Sequence, residues 1–421
     1  MYINNRMYPT LKRRKYYGTL QIQVMCELGL RPVENAEIQI FHKYNPNTVI
    51  DILNTNSSGK TIEIELPAPP IEYSMEPTNY QPYSEYRLVI SAPGLQTVEI
   101  DSAQILPFVK TTQPVRMPLK NDNTDISKLI TIGPNFLFGN YPPKIYEDEV
   151  KIDIEALINK SVVIPEYIIV HNGIPTDSTA SNYKIEYREY VKNVVSSQIY
   201  ATWPHETIYA NILTRLSFSL NRVYTDWYHR LGYDFDLTSS TAFDQIWIYG
   251  RNIDNNISLA VDYVFNYFLS LPDVNQPILT QACVGESVTC QNMISLWGSK
   301  FLGDQGYKAI DILHTYYNES MYINYTNDIT GIQVWPNVIL SEGSNSDAVK
   351  SMQQTLQIIS RAYDELPLLE ANGLFDSKTK SAVATFQKIF DLSVTGTINA
   401  VTWYKIAQIC QRLTRSSEFC K

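Results

Sequence analysis

The residues from Tyr187 to Pro204 constrain this chain more than any other stretch. Tyr187, Val191, Val194 and Val195 recur at helical spacing, and Gln198 follows on the same face. An uncharged amide therefore ends an otherwise apolar stripe. The pattern then breaks at Trp203-Pro204, where proline suits the opening of a new helix and Glu206 falls in its first turn. Helix, polar residue, short turn and second helix make a corner that can hold one side chain at the floor of a cleft.

At 421 residues the chain exceeds one ordinary core, so roughly two to four domains are expected. A composition of 44% hydrophobic and 18% charged residues reads as folded and soluble. The net charge of -9 argues against nucleic acid as a main partner, because phosphate binding needs a basic face. The one basic cluster, Lys12-Arg13-Arg14-Lys15, falls in a polar tail over residues 1–17 and reads as a solvated arm. That tail has no apolar core of an export signal, so another delivery route is expected. No apolar run of 18 residues occurs, and no membrane insertion is expected. The 30 tyrosines outnumber the 14 phenylalanines two to one, a bias that suits half-wet, sugar-facing surfaces. Cys26, Cys283, Cys290, Cys410 and Cys420 make an odd count, which argues against a disulfide framework. Cys283 and Cys290 bracket a short turn and read as structural cysteines, bonded or not.

Residues 18–119 alternate apolar and polar, as in Leu20–Val24, Ala36–Ile40, Thr61–Leu66 and Thr97–Ile100, with Gly and Pro between the runs. A small β-sandwich follows from that period, and it resembles transthyretin-like or carboxypeptidase-regulatory modules. Residues 120–161 read as a linker or pro-segment, polar at Asn121–Asp125 and broken by Tyr141-Pro142-Pro143. From 162 to 330 the period becomes helical. One helix is expected from Glu206 to Arg230, with Ile208, Ile212, Leu216, Leu220, Val223 and Trp227 on its face, and another from Asn256 to Leu269. Between them lies the polar segment Asp236–Gln245, a loop or short strand. A further helix opens around Gln291–Lys300, and residues 331–421 form a compact helical bundle with Leu356, Phe375, Val383, Phe386 and Trp403 as core. The fold class is therefore multidomain α+β: an N-terminal sandwich, a central α+β domain and a C-terminal three-helix bundle.

Four motifs carry a resemblance. Val194-Val195-Ser196-Ser197-Gln198-Ile199 before Trp203-Pro204 is similar to the signature of the stage II sporulation protein D family. Met293-Ile294-Ser295-Leu296-Trp297-Gly298 and Ile312-Leu313-His314-Thr315-Tyr316-Tyr317 are similar to two later motifs of the same family. Gly373-Leu374-Phe375 with Thr379, Ala382-Val383 and Phe386-Gln387 resembles peptidoglycan-binding modules. Together they resemble clostridial spore cortex-lytic enzymes of the SleC type. The resemblance implies a lytic transglycosylase of spore cortex peptidoglycan acting in germination, made as a zymogen, activated by a protease that cuts the connector, and located in the spore cortex and coat region or the cell wall. It implies that Ser197, Ser239, Ser240, Thr241, Gln245, Trp297 and Tyr316 contact glycan strands.

Two positions depart from that family. Gln198 stands at the general acid/base, where the family has Glu, and Leu296 stands where it usually has Gln. A lytic transglycosylase needs one carboxyl group to protonate the glycosidic oxygen and then to take the proton of the sugar's 6-hydroxyl. An amide has the shape of that group but transfers no proton, and losing a general acid/base costs about 10²- to 10⁴-fold. Glu206 and Asp244 are the carboxylates that could substitute. No cofactor is expected, since His42, His171, His205, His229 and His314 lack ligand spacing. The alternative class is a non-catalytic peptidoglycan-binding pseudoenzyme or scaffold, with Gln198 either natural or an inactivating substitution.

Overall fold

A computed structural model describes residues 16–27, 31–120, 127–145, 161–285 and 292–416. The N-terminal part holds β1 (Tyr16–Cys26), β2 (Glu37–His42), β3 (Asn45–Asn54), β4 (Ile64–Ala68), β5 (Ser84–Ser91), β6 (Val98–Ile105), β7 (Lys110–Met117) and β8 (Lys128–Thr131). One sheet runs β3-β2-β5-β6-β8, and the other places β1 between β4 and β7. The period of two sends Leu20, Ile22 and Val24 of one sheet and Ile38, Ile40, Leu88 and Ile90 of the other into one shared, fully buried cluster. Two facing sheets over a common core are the result.

Part of the expected connector is built into that structure. β8 pairs in parallel with β6, and Ile130 and Ile132 are buried in the same cluster. Two apolar residues two apart were enough to add a strand to an available sheet edge. Cleavage is expected within the connector before Val162, and its residues 146–160 lie outside the described residues.

The central part contains α2 (Tyr187–Gln198), α3 (His205–Tyr224), α4 (Trp227–Arg230), α5 (Asn255–Val264), α6 (Leu296–Asp304) and α7 (Ala309–Tyr316), with a one-turn α1 (Glu72–Met75) in the preceding part. Its strands are β9 (Tyr167–His171), β10 (Asn182–Glu186), β11 (Leu237–Thr238), β12 (Ile253–Asp254), β13 (Tyr267–Ser270), β14 (Gln281–Cys283), β15 (Met293–Ser295) and β16 (Tyr322–Tyr325). Two helices are shorter than their periodicity predicts. The helix expected to reach Arg230 ends at Tyr224, because Asp226 turns left-handed at φ 54° and restarts the chain as α4. The helix expected to reach Leu269 ends at Val264, because Tyr267–Ser270 pairs antiparallel with Tyr322–Tyr325. A strand partner more than fifty residues away overrides local pattern. The helix expected around Gln291–Lys300 begins only at Leu296, capped by the Ser295 hydroxyl accepting from Gly298 N at 2.9 Å.

The C-terminal part packs α8 (Asp347–Ser360), α9 (Ser377–Ile389) and α10 (Ala400–Ser416) around Leu356, Phe375, Val383, Phe386 and Trp403, all buried. Two buried amides organise its turns. Gln353 accepts from Gly373 N at 2.9 Å and donates to Thr379 Oγ1 at 3.0 Å. Gln387 accepts from Gly396 N at 2.9 Å and donates to Thr402 Oγ1 at 3.1 Å. Both glycines have positive φ, 85° and 67°, so each turn needs its glycine. Asp376 and Asn399 then accept from Thr379 N and Thr402 N, which caps α9 and α10 in the same manner.

The three parts touch one another. β12 extends the sandwich by pairing with β7, and Thr111 Oγ1 donates to Asp254 at 2.7 Å. Trp203 Nε1 donates to Ser74 O at 2.8 Å across the same boundary. Lys60 and Lys110 both reach Asp391, which joins the sandwich to the C-terminal helices. Arg412 of α10 grips Glu186 at 2.6 and 2.7 Å, at the N-terminal end of α2. The opposite end of that helix carries Gln198.

Candidate functional site

α2 is buried along nearly its whole length, and Gln198 is its last residue. The chain turns through Ile199–Trp203, and Pro204 stands at the N-cap of α3. The corner expected from sequence therefore exists. Tyr200, Trp203 and Trp297 form an aromatic group on it, with ring centroids 5.1–6.2 Å apart.

Gln198 is 6% exposed, and its carbonyl oxygen accepts from Arg215 Nε. Arg215 lies inside α3, wholly buried, with a long 3.5 Å contact from Nη2 to Asn211 Oδ1. Burial pushes its guanidinium down to about 10, and the hydroxyls of Tyr317 and Tyr190 oppose that shift. It stays cationic at neutral pH. Tyr317 and Tyr190 are both driven well above the ordinary tyrosine range by burial. Arg215 was not singled out from the sequence. Its signal was there, in the polar stripe Asn211, Arg215, Arg222 at spacings of four and seven on a helix otherwise buried.

The expected glycan-contacting residues separate into three places. Gln245 joins the Gln198 corner: it accepts from Tyr190 OH and donates to Arg215 O, each at 3.3 Å. Trp297 sits on the aromatic group, and Tyr316 is half-buried beside Ser295 at the start of α6. Ser197 turns away, fully buried, its hydroxyl 3.4 Å from Asn193 Oδ1. Ser239 and Ser240 are half-buried, and Ser239 N donates to His171 O. Thr241 is covered, donating to Pro142 O at 3.0 Å. Leu296 is fully buried in the core, an apolar solution to a position that faces no water.

Neither substitute carboxylate is free. Glu206 Oε2 accepts from Ala309 N at 2.8 Å and Oε1 from Lys308, so it caps α7. Asp244 takes Arg222 Nε at 2.9 Å, Tyr228 OH at 2.6 Å, and both Thr238 N and its hydroxyl at 2.8 Å. Connector residues run across the same segment: Ile145 N donates to Ala242 O at 2.8 Å and Lys144 Nζ to Phe243 O. Cys283 is disulfide-bonded, and Cys290 lies outside the described residues.

The Gln198 contact sets an expectation for Gln198→Glu. A carboxylate there meets a buried cation, and Arg215 is expected to hold it below the ordinary glutamate range. Replacing a neutral acceptor by a charged one is expected to add about 1–3 kcal/mol. A depressed folded value means that this gain is complete above the unfolded carboxyl's range and disappears as pH falls through the folded value. Thermal unfolding of Q198E and wild type from pH 3 to 8 checks it; a Q198E no more stable at pH 7 than at pH 3, relative to wild type, contradicts the pairing.

No curated protein matches the chain. Among solved structures, the mercury-inhibited catechol 1,2-dioxygenase from Acinetobacter sp. ADP1 aligns over 29% of this chain and 60% of its own, at 12% identity and a TM-score of 0.20. A likeness so slight carries no argument about fold. Residues 345–406, which contain α8, α9 and the start of α10, match the peptidoglycan binding domain family (PG_binding_1), and this match supports a cell-wall-binding module at the C-terminal end of the chain.

Proposed function

We propose that this chain is a peptidoglycan-binding protein of the cell wall whose central part engages glycan without cleaving it. The observation that carries the reading is the state of residue 198: an amide, buried, and committed to Arg215. Residues 162–330 are read as a sporulation-protein-D-like, lytic-transglycosylase-type domain that has lost its acid. The spore cortex during germination is the wall it meets. Residues 18–119 serve as a packing module and residues 120–161 as a pro-segment. The contacts of Pro142, Lys144 and Ile145 with residues 241–243 support a zymogen-like cover over the glycan-facing segment.

The test uses the full chain with purified cortex peptidoglycan. Wild type is expected to co-sediment with the insoluble polymer and to release no anhydro-muropeptides by mass spectrometry. Loss of the general acid alone accounts for a deficit of about 10²- to 10⁴-fold. Release of anhydro-muropeptides by the wild type overturns the non-cleaving reading. Failure to sediment overturns wall binding.

A further inference from the structure

Among the described residues, Arg215 Nη1, Gln281 Nε2 and Trp297 Nε1 are three of the buried side-chain donors that have no hydrogen-bond partner. Interiors leave few donors in that state, so three in one region need a reason. They belong to elements that meet at the Gln198 corner. Tyr317, whose charge state acts on Arg215, donates its hydroxyl to Gln281 O at 2.8 Å. The same hydroxyl accepts from Ile294 N at 3.3 Å, on the strand that leads into Trp297. Trp297 packs in turn on Tyr200, two residues beyond Gln198.

Among the described residues, the neighbourhood of Arg215 supplies donors and a positive charge but no anion that acts on it. Gln198 Oε1 and Asn211 Oδ1 are the acceptors for Arg215, taken by Nε and Nη2. Among the described residues, the groups whose charges act on this guanidinium are two tyrosines, and no carboxylate is one of them. A buried arginine without a counter-ion is costly, and the fork of its Nη groups matches a carboxylate. A glutamate at 198 would supply the missing charge from inside the chain. Gln198 leaves it to be supplied from outside.

We propose that Arg215, Gln281 and Trp297 form a donor site for a carboxylate-bearing substituent, with Gln198 as the residue that leaves it open to a ligand. The ligand class is a sugar carrying an acid group, such as the lactyl carboxylate of an N-acetylmuramic acid residue; this choice of sugar rests on the wall as the chain's ligand. Gln198 and all three donor residues are almost covered, so the site takes a substituent and leaves the glycan backbone outside.

The experiment is isothermal titration of the full chain with N-acetylmuramic acid, with N-acetylglucosamine, which is the same sugar without the lactyl acid, and with inorganic phosphate. Wild type is expected to bind N-acetylmuramic acid at least tenfold more tightly than either of the others. Q198E provides an internal carboxylate and is expected to lose that preference, and Gln281→Leu to weaken it several-fold. Equal affinity for the two sugars overturns the proposal, as does a preference retained in Q198E. Phosphate binding as tight as N-acetylmuramic acid overturns the carboxylate assignment. Sedimentation with insoluble peptidoglycan is run on the same preparations. A chain that fails to sediment but keeps its preference for N-acetylmuramic acid removes the wall reading and leaves the carboxylate site standing.

Discussion

Replacing Asp244 with alanine is expected to destabilise the central part by about 3–5 kcal/mol, the usual cost of removing one partner of a buried ion pair. Asp244 and Arg222 are both essentially unexposed, and the carboxylate also holds Tyr228 OH and two donors of Thr238. Alanine removes a buried carboxylate partner of the guanidinium and releases the strand pairing of Leu237–Thr238 with β9 from its anchor. Scaled to a unit of about 170 residues, the loss corresponds to roughly 6–20 °C in unfolding temperature. Asp244→Asn keeps the shape and most acceptors and is expected to lose less than half as much. The measurement is thermal and urea unfolding of the three proteins. A shift under 2 °C for the alanine variant would show that this carboxylate does not hold the Ser/Thr segment in place. The large structural burden on Asp244 is also why it is a poor candidate for replacing a catalytic acid.

The second large effect lies at the boundary between the sandwich and the central part. Asp254 is wholly buried, and burial raises its carboxyl to about 6 against the opposing influence of Arg251 and the Thr111 hydrogen bond. Its Oδ2 has no hydrogen-bond partner. A raised folded value means that the folded protein holds the proton more tightly than the unfolded chain does. The associated stability is therefore complete below the unfolded carboxyl's range near pH 4 and is lost as pH rises through about 6. Above that the buried charge costs about 3 kcal/mol, from roughly two pK units. Asp254→Asn removes the charge and is expected to stabilise the chain by about 2–3 kcal/mol at pH 7.5, with the advantage shrinking to nothing near pH 4. Unfolding temperatures of the two proteins across that range decide it. A constant difference at all pH values would mean that Asp254 is already paired when ionised.

The sequence by itself determined the pieces. Alternation in Leu20–Val24 and Ala36–Ile40 announced sheets with one buried face, and those residues do form the core between two sheets. The apolar stripe ending at Gln198, and the Trp203-Pro204 break after it, set the end of α2 and the start of α3 within a residue or two. The C-terminal core, from Leu356 to Trp403, was readable because its contacts are between helices close in sequence. Periodicity reports which face of an element is buried, and it is silent on what that face is buried against.

The tertiary structure decided everything that depended on a distant partner. Tyr267–Ser270 became a strand only because Tyr322–Tyr325 was there to pair with it. Residues 128–131 left the connector because β6 offered an open edge. Glu206 and Asp244 looked equally free as letters; one caps α7 and the other neutralises Arg222. Arg215 passed as one polar residue in a long helix until the fold placed it against Gln198 with no carboxylate among the described groups that act on it. Sequence located the amide at the corner, while its meaning came from the buried charge beside it, because electrostatic energy depends on distance and burial and neither is written along the chain.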